Sequence, residues 1–149
     1  MINDFSLSAS EFIEILNERT STGADTILTV TGNSMVPFLV HKRDRVVLRK
    51  FLCNAKKGDI LFYKRNDNKC VLHRVIKTDK DGIYFIGDAQ DYVEGPVPYE
   101  NILAECREVI RKGKTVNERS CIWWFFKYIW LNIVPVRLSI IRFISEYKK

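Results

Sequence analysis

At 149 residues, with 46% hydrophobic and 28% charged residues, the chain is long enough to bury the core of one mid-sized domain and too apolar for global disorder. Its net charge of +6 is uneven: residues 107–149 hold ten Lys/Arg against three Asp/Glu, whereas residues 1–106 hold fourteen against fifteen. Cys53, Cys70, Cys106 and Cys121 contain no C-x-x-C pair, and the two histidines lack ligand spacing to them, so neither a disulfide scaffold nor a metal is expected.

The first five residues, Met1-Ile2-Asn3-Asp4-Phe5, lack the basic start and apolar run of a secretory leader. Ser8-Ala9-Ser10-Glu11 then opens like a capped helix, with apolar residues at 12, 13, 15 and 16 and an expected end near Gly23. Glu11, Glu14, Glu18 and Arg19 bar this helix from a bilayer, so it reads as a lid packed on a sheet. From Thr26 to Ile110, short β-rich runs cover 27–30, 45–48, 59–63, 70–76, 83–86 and 103–110. Turns are expected over 65–69, over 79–82 and at Gly95-Pro96. Short strands with no long helix between them predict a mainly β fold.

Beyond Gly113 the character changes. Residues 121–136 form an apolar run interrupted by Lys127, and Pro135 is placed to kink or break it. A membrane span needs about twenty largely apolar residues, so this run is marginal for one. All three tryptophans lie in it between basic flanks, which predicts a hydrophobic helical tail resting at the headgroup level of a membrane. The chain thus divides into an N-terminal helical segment (1–26), a β-rich domain (27–113) and a basic, aromatic C-terminal tail (114–149).

The residues suited to chemistry lie in the β-rich part. Ser34 sits in Gly32-Asn33-Ser34-Met35-Val36-Pro37, His73 in Leu72-His73-Arg74-Val75, and Asp88 follows Gly87. A serine attacks an amide when a base takes its proton, and a neutral imidazole does this and later returns the proton to the leaving amine. An acid behind the imidazole sets its tautomer. On this reading, activity rises with pH around the ordinary titration range of histidine.

These stretches, with Lys57-Gly58-Asp59-Ile60 between them, resemble the ordered boxes of type I signal peptidases and the related LexA-type self-cleaving repressors, over roughly residues 27 to 112. Where the bacterial-type members place a lysine before the arginine of the third box, this chain has His73 before Arg74, the pattern of the endoplasmic-reticulum and archaeal type. The resemblance implies a coiled β-sheet or partly open barrel, Ser34 as nucleophile, and His73 as base. It implies an orienting acid at Asp88, the preferred position, or at Glu94, its close rival, with Asp91 third. The Ser34 N–H is the implied oxyanion donor. A serine hydroxyl that several relatives carry two residues before the nucleophile is replaced by Gly32, and Asn33 or Thr31 stand nearest as substitutes.

The function so implied is that of a serine endopeptidase acting on a signal or leader peptide, docked as an extended strand, with no cofactor. Two other readings remain: a LexA-like self-processing regulatory domain, and an inactive module that binds a membrane surface. Residues 1–26 are too short for a DNA-binding helical pair, so no nucleic acid is expected as a partner. The expected location is on a membrane, held there by the C-terminal segment.

Overall fold

The short β-rich runs between the turn clusters fold into strands. In the computed structural model, which describes residues 8–148, eight strands form one antiparallel sheet. They are β1 (Thr26–Thr29), β2 (Asp44–Arg49), β3 (Ile60–Lys64), β4 (Cys70–Asp79), β5 (Gly82–Ile86), β6 (Glu94–Val97), β7 (Ile102–Arg111) and β8 (Lys114–Asn117). The order is β1-β2-β7-β3-β4-β5-β6, and the path does not close on itself. Along one edge of β7, Ile102 to Cys106 pairs with β3 and Glu108 to Arg111 pairs with β8.

The turns expected over 65–69 and 79–82 are the β3–β4 and β4–β5 hairpins. Gly95-Pro96 is instead part of β6, which ends the sheet on that side. A proline lacks the ladder N–H, and an edge strand tolerates this because one side of it has no partner. The stretch Met1–Phe5 lies outside the described residues.

Helix α1 (Ala9–Ser21) begins at a full capping box, in which the Ser8 side chain takes the Glu11 N–H and the Glu11 carboxylate takes the Ser8 N–H. Leu16 is fully buried from this helix, and Phe12 meets Phe62 edge-on at 5.9 Å. The helix therefore covers one face of the sheet, over the core that contains Val46, Leu48, Ile60 and Phe62. The opposite face carries a smaller core of Leu61, Tyr63, Val75, Ile83 and Phe85.

The C-terminal segment is partly built into this domain. β8 extends the sheet, α2 (Cys121–Tyr128) packs beside it, a short 3-10 turn covers Trp130–Asn132, and α3 (Val134–Tyr147) follows. Trp123, Phe126 and Trp130 are buried in the larger core, with Phe38 at 5.2 Å from Trp123 and 5.0 Å from Phe126. Burial of each such side chain contributes about 1.5–3 kcal/mol. One face of the aromatic C-terminal segment thus completes the core. The apolar run is broken between α2 and α3, and Pro135 stands in the first turn of the new helix, where the missing N–H costs nothing. Among the described residues no helix is long and apolar enough to cross a membrane.

Candidate active site

Ser34 lies in the loop between β1 and β2, and that loop is fixed from several sides. Met35, Phe38 and Leu39 anchor it in the larger core. Asp44, fully buried, accepts from the Val40 N–H at 2.9 Å and from Arg43 and Arg111. Burial alone would raise the Asp44 carboxyl, but the bonds from Arg43 and Arg111 hold it below the usual carboxylate range. Gly32 has φ +83°, a left-handed conformation in which a serine would be strained, and its N–H is accepted by His41 Nδ1 at 2.9 Å. The departure from serine at this position therefore has a backbone reason.

His73 lies on β4, where alternation sends consecutive side chains to opposite faces. It is paired with Leu61 of β3, which puts Tyr63 diagonally beside it on the same face. Its Nε2 is 3.0 Å from Ser34 Oγ, and its Nδ1 is 3.2 Å from the Tyr63 hydroxyl and 3.8 Å from Glu94 Oε2. Glu94, at the start of β6, accepts two bonds from Arg65, at 2.6 and 2.8 Å. Burial pushes the Glu94 carboxyl up, and the Arg65 bonds outweigh this and hold it below the usual carboxylate range.

These contacts favour one tautomer. The Glu94 carboxylate, 3.8 Å from Nδ1, favours a proton on that nitrogen, and the Tyr63 hydroxyl oxygen at 3.2 Å is placed to accept it. The Nε2 lone pair then faces the Ser34 hydroxyl at a distance suited to proton transfer. Burial lowers the His73 pKa to about 4; Glu94 opposes the shift and Arg65 adds to it. The imidazole is therefore neutral at pH 7.

Asp88 is placed differently. Both of its oxygens accept from Arg74, Nε at 2.9 Å and Nη2 at 2.8 Å, and both side chains are fully buried. Arg74 also donates to the Gly58 carbonyl and lies over the Phe38 ring. Arg74 follows His73 on the strand and so serves the other face, taking Asp88 with it. The structure brings Ser34, His73 and Glu94 together and pairs Asp88 with Arg74, so of the two rival acids the geometry favours Glu94 beside His73. Asp91 is an exposed loop residue.

Tyr63 and Arg65 were missed in the sequence. The signal was present in the hairpin, since a turn over 65–69 sets Leu61 opposite His73 and therefore Tyr63 within diagonal reach. Asp88 still matters to the site through its backbone. Its neighbour Ala89 donates to the Ser34 carbonyl at 2.9 Å, and a Cβ on Gly87 would stand 2.5 Å from that same oxygen. Only glycine allows this approach. Among the described residues no acceptor takes the Ser34 N–H.

A cavity of about 110 Å³ opens beside Ser34, lined by Leu28, Val30, Met35, Phe62 and Leu72 among others. Two backbone edges without a partner strand among the described residues flank it: β1, which ends the sheet, and Cys70 to Leu72 of β4, where pairing with β5 has not begun.

A family model described as Peptidase S24-like matches residues 4–107. That span contains every residue of the Ser34, His73 and Glu94 cluster and stops before β8 and the last two helices. No curated protein matches the sequence.

Proposed function

The chain belongs to the Peptidase S24-like family, which supports a serine peptidase, and we propose more specifically that it is a serine endopeptidase of signal-peptidase type, cleaving a signal or leader peptide. The observation that carries this reading is the 3.0 Å approach of a neutral His73 Nε2 to Ser34 Oγ. Ser34 attacks the scissile carbonyl while His73 takes its proton and later delivers it to the leaving amine. Glu94, 3.8 Å from Nδ1, orients His73 with the Tyr63 hydroxyl beside it, and stabilises the imidazolium. The Ser34 N–H meets the oxyanion. The peptide lies between the edges of β1 and β4 as an added strand, with a short side chain in the apolar cavity. Comparing the N-termini of exported and leader-bearing polypeptides with and without an active Ser34 tests this. Leader cleavage lost with Ser34→Ala supports it, and a chain that shortens only itself moves the reading to self-processing.

Two kinetic results are expected. Because protonated His73 cannot accept the serine proton, kcat/KM should be flat through neutrality and fall as pH drops, with its midpoint at about 4 rather than near the ordinary histidine value. Stability shifts with the same sign: the depressed folded pKa makes the neutral imidazole's contribution full above 6.5 and lost as pH falls toward 4. A profile centred in the alkaline range would point to a different base. Second, Glu94→Gln should lower kcat by about 10–100-fold, less than the ~10⁴ that follows loss of an acid bonded directly to the imidazole. Tyr63→Phe should lower it less, and thermal unfolding should show both variants still folded.

The outer face of the last two helices supports placement on an anionic membrane surface. Trp124, Phe125, Tyr128, Ile140 and Phe143 are exposed there, on a segment of strongly positive charge. Phosphatidylglycerol vesicles should recruit the protein, and Trp124→Ser combined with Phe143→Ser should weaken partitioning at least about tenfold. Equal partitioning of variant and wild type would remove the membrane role.

A further inference from the structure

The loop Gly87-Asp88-Ala89-Gln90 touches the nucleophile on one side and the C-terminal helices on the other. Ala89 N–H donates to the Ser34 carbonyl at 2.9 Å. On the far side, Trp130 Nε1 donates to the Asp88 carbonyl at 2.8 Å. Arg137 of α3 donates from Nε to the Gln90 carbonyl and from Nη2 to the Gly87 carbonyl, each at 2.8 Å, with a second bond from Nη2 to Gln90. Three of the four carbonyls of the loop are thus taken by side chains from 42 to 50 residues further along the chain.

We propose that Arg137 and Trp130 are positioning residues for the peptidase reaction, a clamp that sets the Ser34 backbone through the Gly87–Gln90 loop. This rests on the peptidase reading of Ser34. Both residues lie beyond the family-matched span of 4–107, so the clamp belongs to the part of the chain that the family model does not describe.

The physical argument starts from what the bonds cost. Arg137 is fully buried, and its Nη1 is a buried nitrogen without a partner among the described residues. A buried charge so incompletely met is unfavourable for stability by itself. Its bonds go to carbonyls of the one loop that holds the Ser34 carbonyl. Near-attack geometry is steep in distance: a displacement of about 1 Å costs on the order of 10²-fold in rate. Releasing the loop frees Ala89 to move and, with it, Ser34 relative to His73 Nε2.

The test uses the full chain with a fluorophosphonate probe that labels nucleophilic serines, reading the maximal labelling rate and the half-saturating concentration separately. Arg137→Met should lower the maximal rate about 10–100-fold and change half-saturation by less than about threefold. Arg137→Lys, which keeps a donor, should fall between it and wild type. Trp130→Phe, which keeps the aromatic packing and removes only the N–H, should show a smaller fall of the same kind. Amide exchange at Ala89 should quicken in Arg137→Met and Trp130→Phe while β3 and β4 keep their protection.

Labelling within about twofold of wild type in both Arg137→Met and Trp130→Phe, or a loss matching only the unfolded fraction, overturns the clamp. A wild type that the probe does not label overturns the peptidase reading instead. Exchange at Ala89 then decides the clamp alone: faster exchange in the variants supports it, and unchanged exchange overturns it.

Discussion

Ser34→Ala and His73→Ala are each expected to reduce peptide cleavage by about 10⁶-fold, and the double variant to be no worse than either. The reason is that the two side chains perform one step. A hydroxyl without a base within reach stays a poor nucleophile, and a base without the hydroxyl has no proton to take. The 3.0 Å contact, with Glu94 favouring a proton on Nδ1, makes Nε2 the acceptor in the cluster for the Ser34 proton. Single-turnover cleavage of a leader peptide, with thermal unfolding run alongside, checks this. Substantial activity in His73→Ala would remove the imidazole from the mechanism, and additive losses in the double variant would mean that the two act in separate steps.

Asp88→Asn is expected to destabilise the fold by about 3–5 kcal/mol, because it leaves the Arg74 guanidinium buried without a counter-charge. For a chain of this size that lowers Tm by on the order of 10 °C. Removing both charges should recover much of the loss, so Arg74→Met with Asp88→Leu should be more stable than either single variant. The contrast with Glu94→Gln separates the two acids. Glu94 is partly exposed and bonded to Arg65 at the rim, so its loss should be felt mainly in rate, whereas the loss of Asp88 should be felt first in stability. A cold-stable Asp88→Asn with a collapsed rate would reverse this assignment.

Much of the fold was legible because its signals are local. Short runs rich in β-branched and aromatic residues, divided by Gly, Asp and Asn clusters, mark where strands run and turn, and they placed six of the strands within a few residues of Thr26–Thr29 through Ile102–Arg111. The capping box announced α1 by the spacing of Ser8 and Glu11. β6 was hidden because Gly95-Pro96 carries the composition of a turn, and β8 because it is short and falls where the composition changes.

The sequence by itself determined a mainly β chain carrying a serine in a tight loop and a histidine on a strand, and it named Asp88 and Glu94 as rival acids. Which acid faces the imidazole was decided only by tertiary structure. His73 and Arg74 point to opposite faces of β4, so the acid that pairs with the buried guanidinium is withdrawn from the imidazole, and one from the β6 edge takes its place. The division of the tail was decided in the same way. A run of tryptophans and phenylalanines reads identically whether it meets lipid or protein, and only the sheet beneath it separates Trp123, Phe126 and Trp130, which are buried, from Trp124 and Phe125, which are not. Local patterning reports what a residue is able to pair with; the choice among partners is made by segments far apart in the chain, through the burial that their packing imposes.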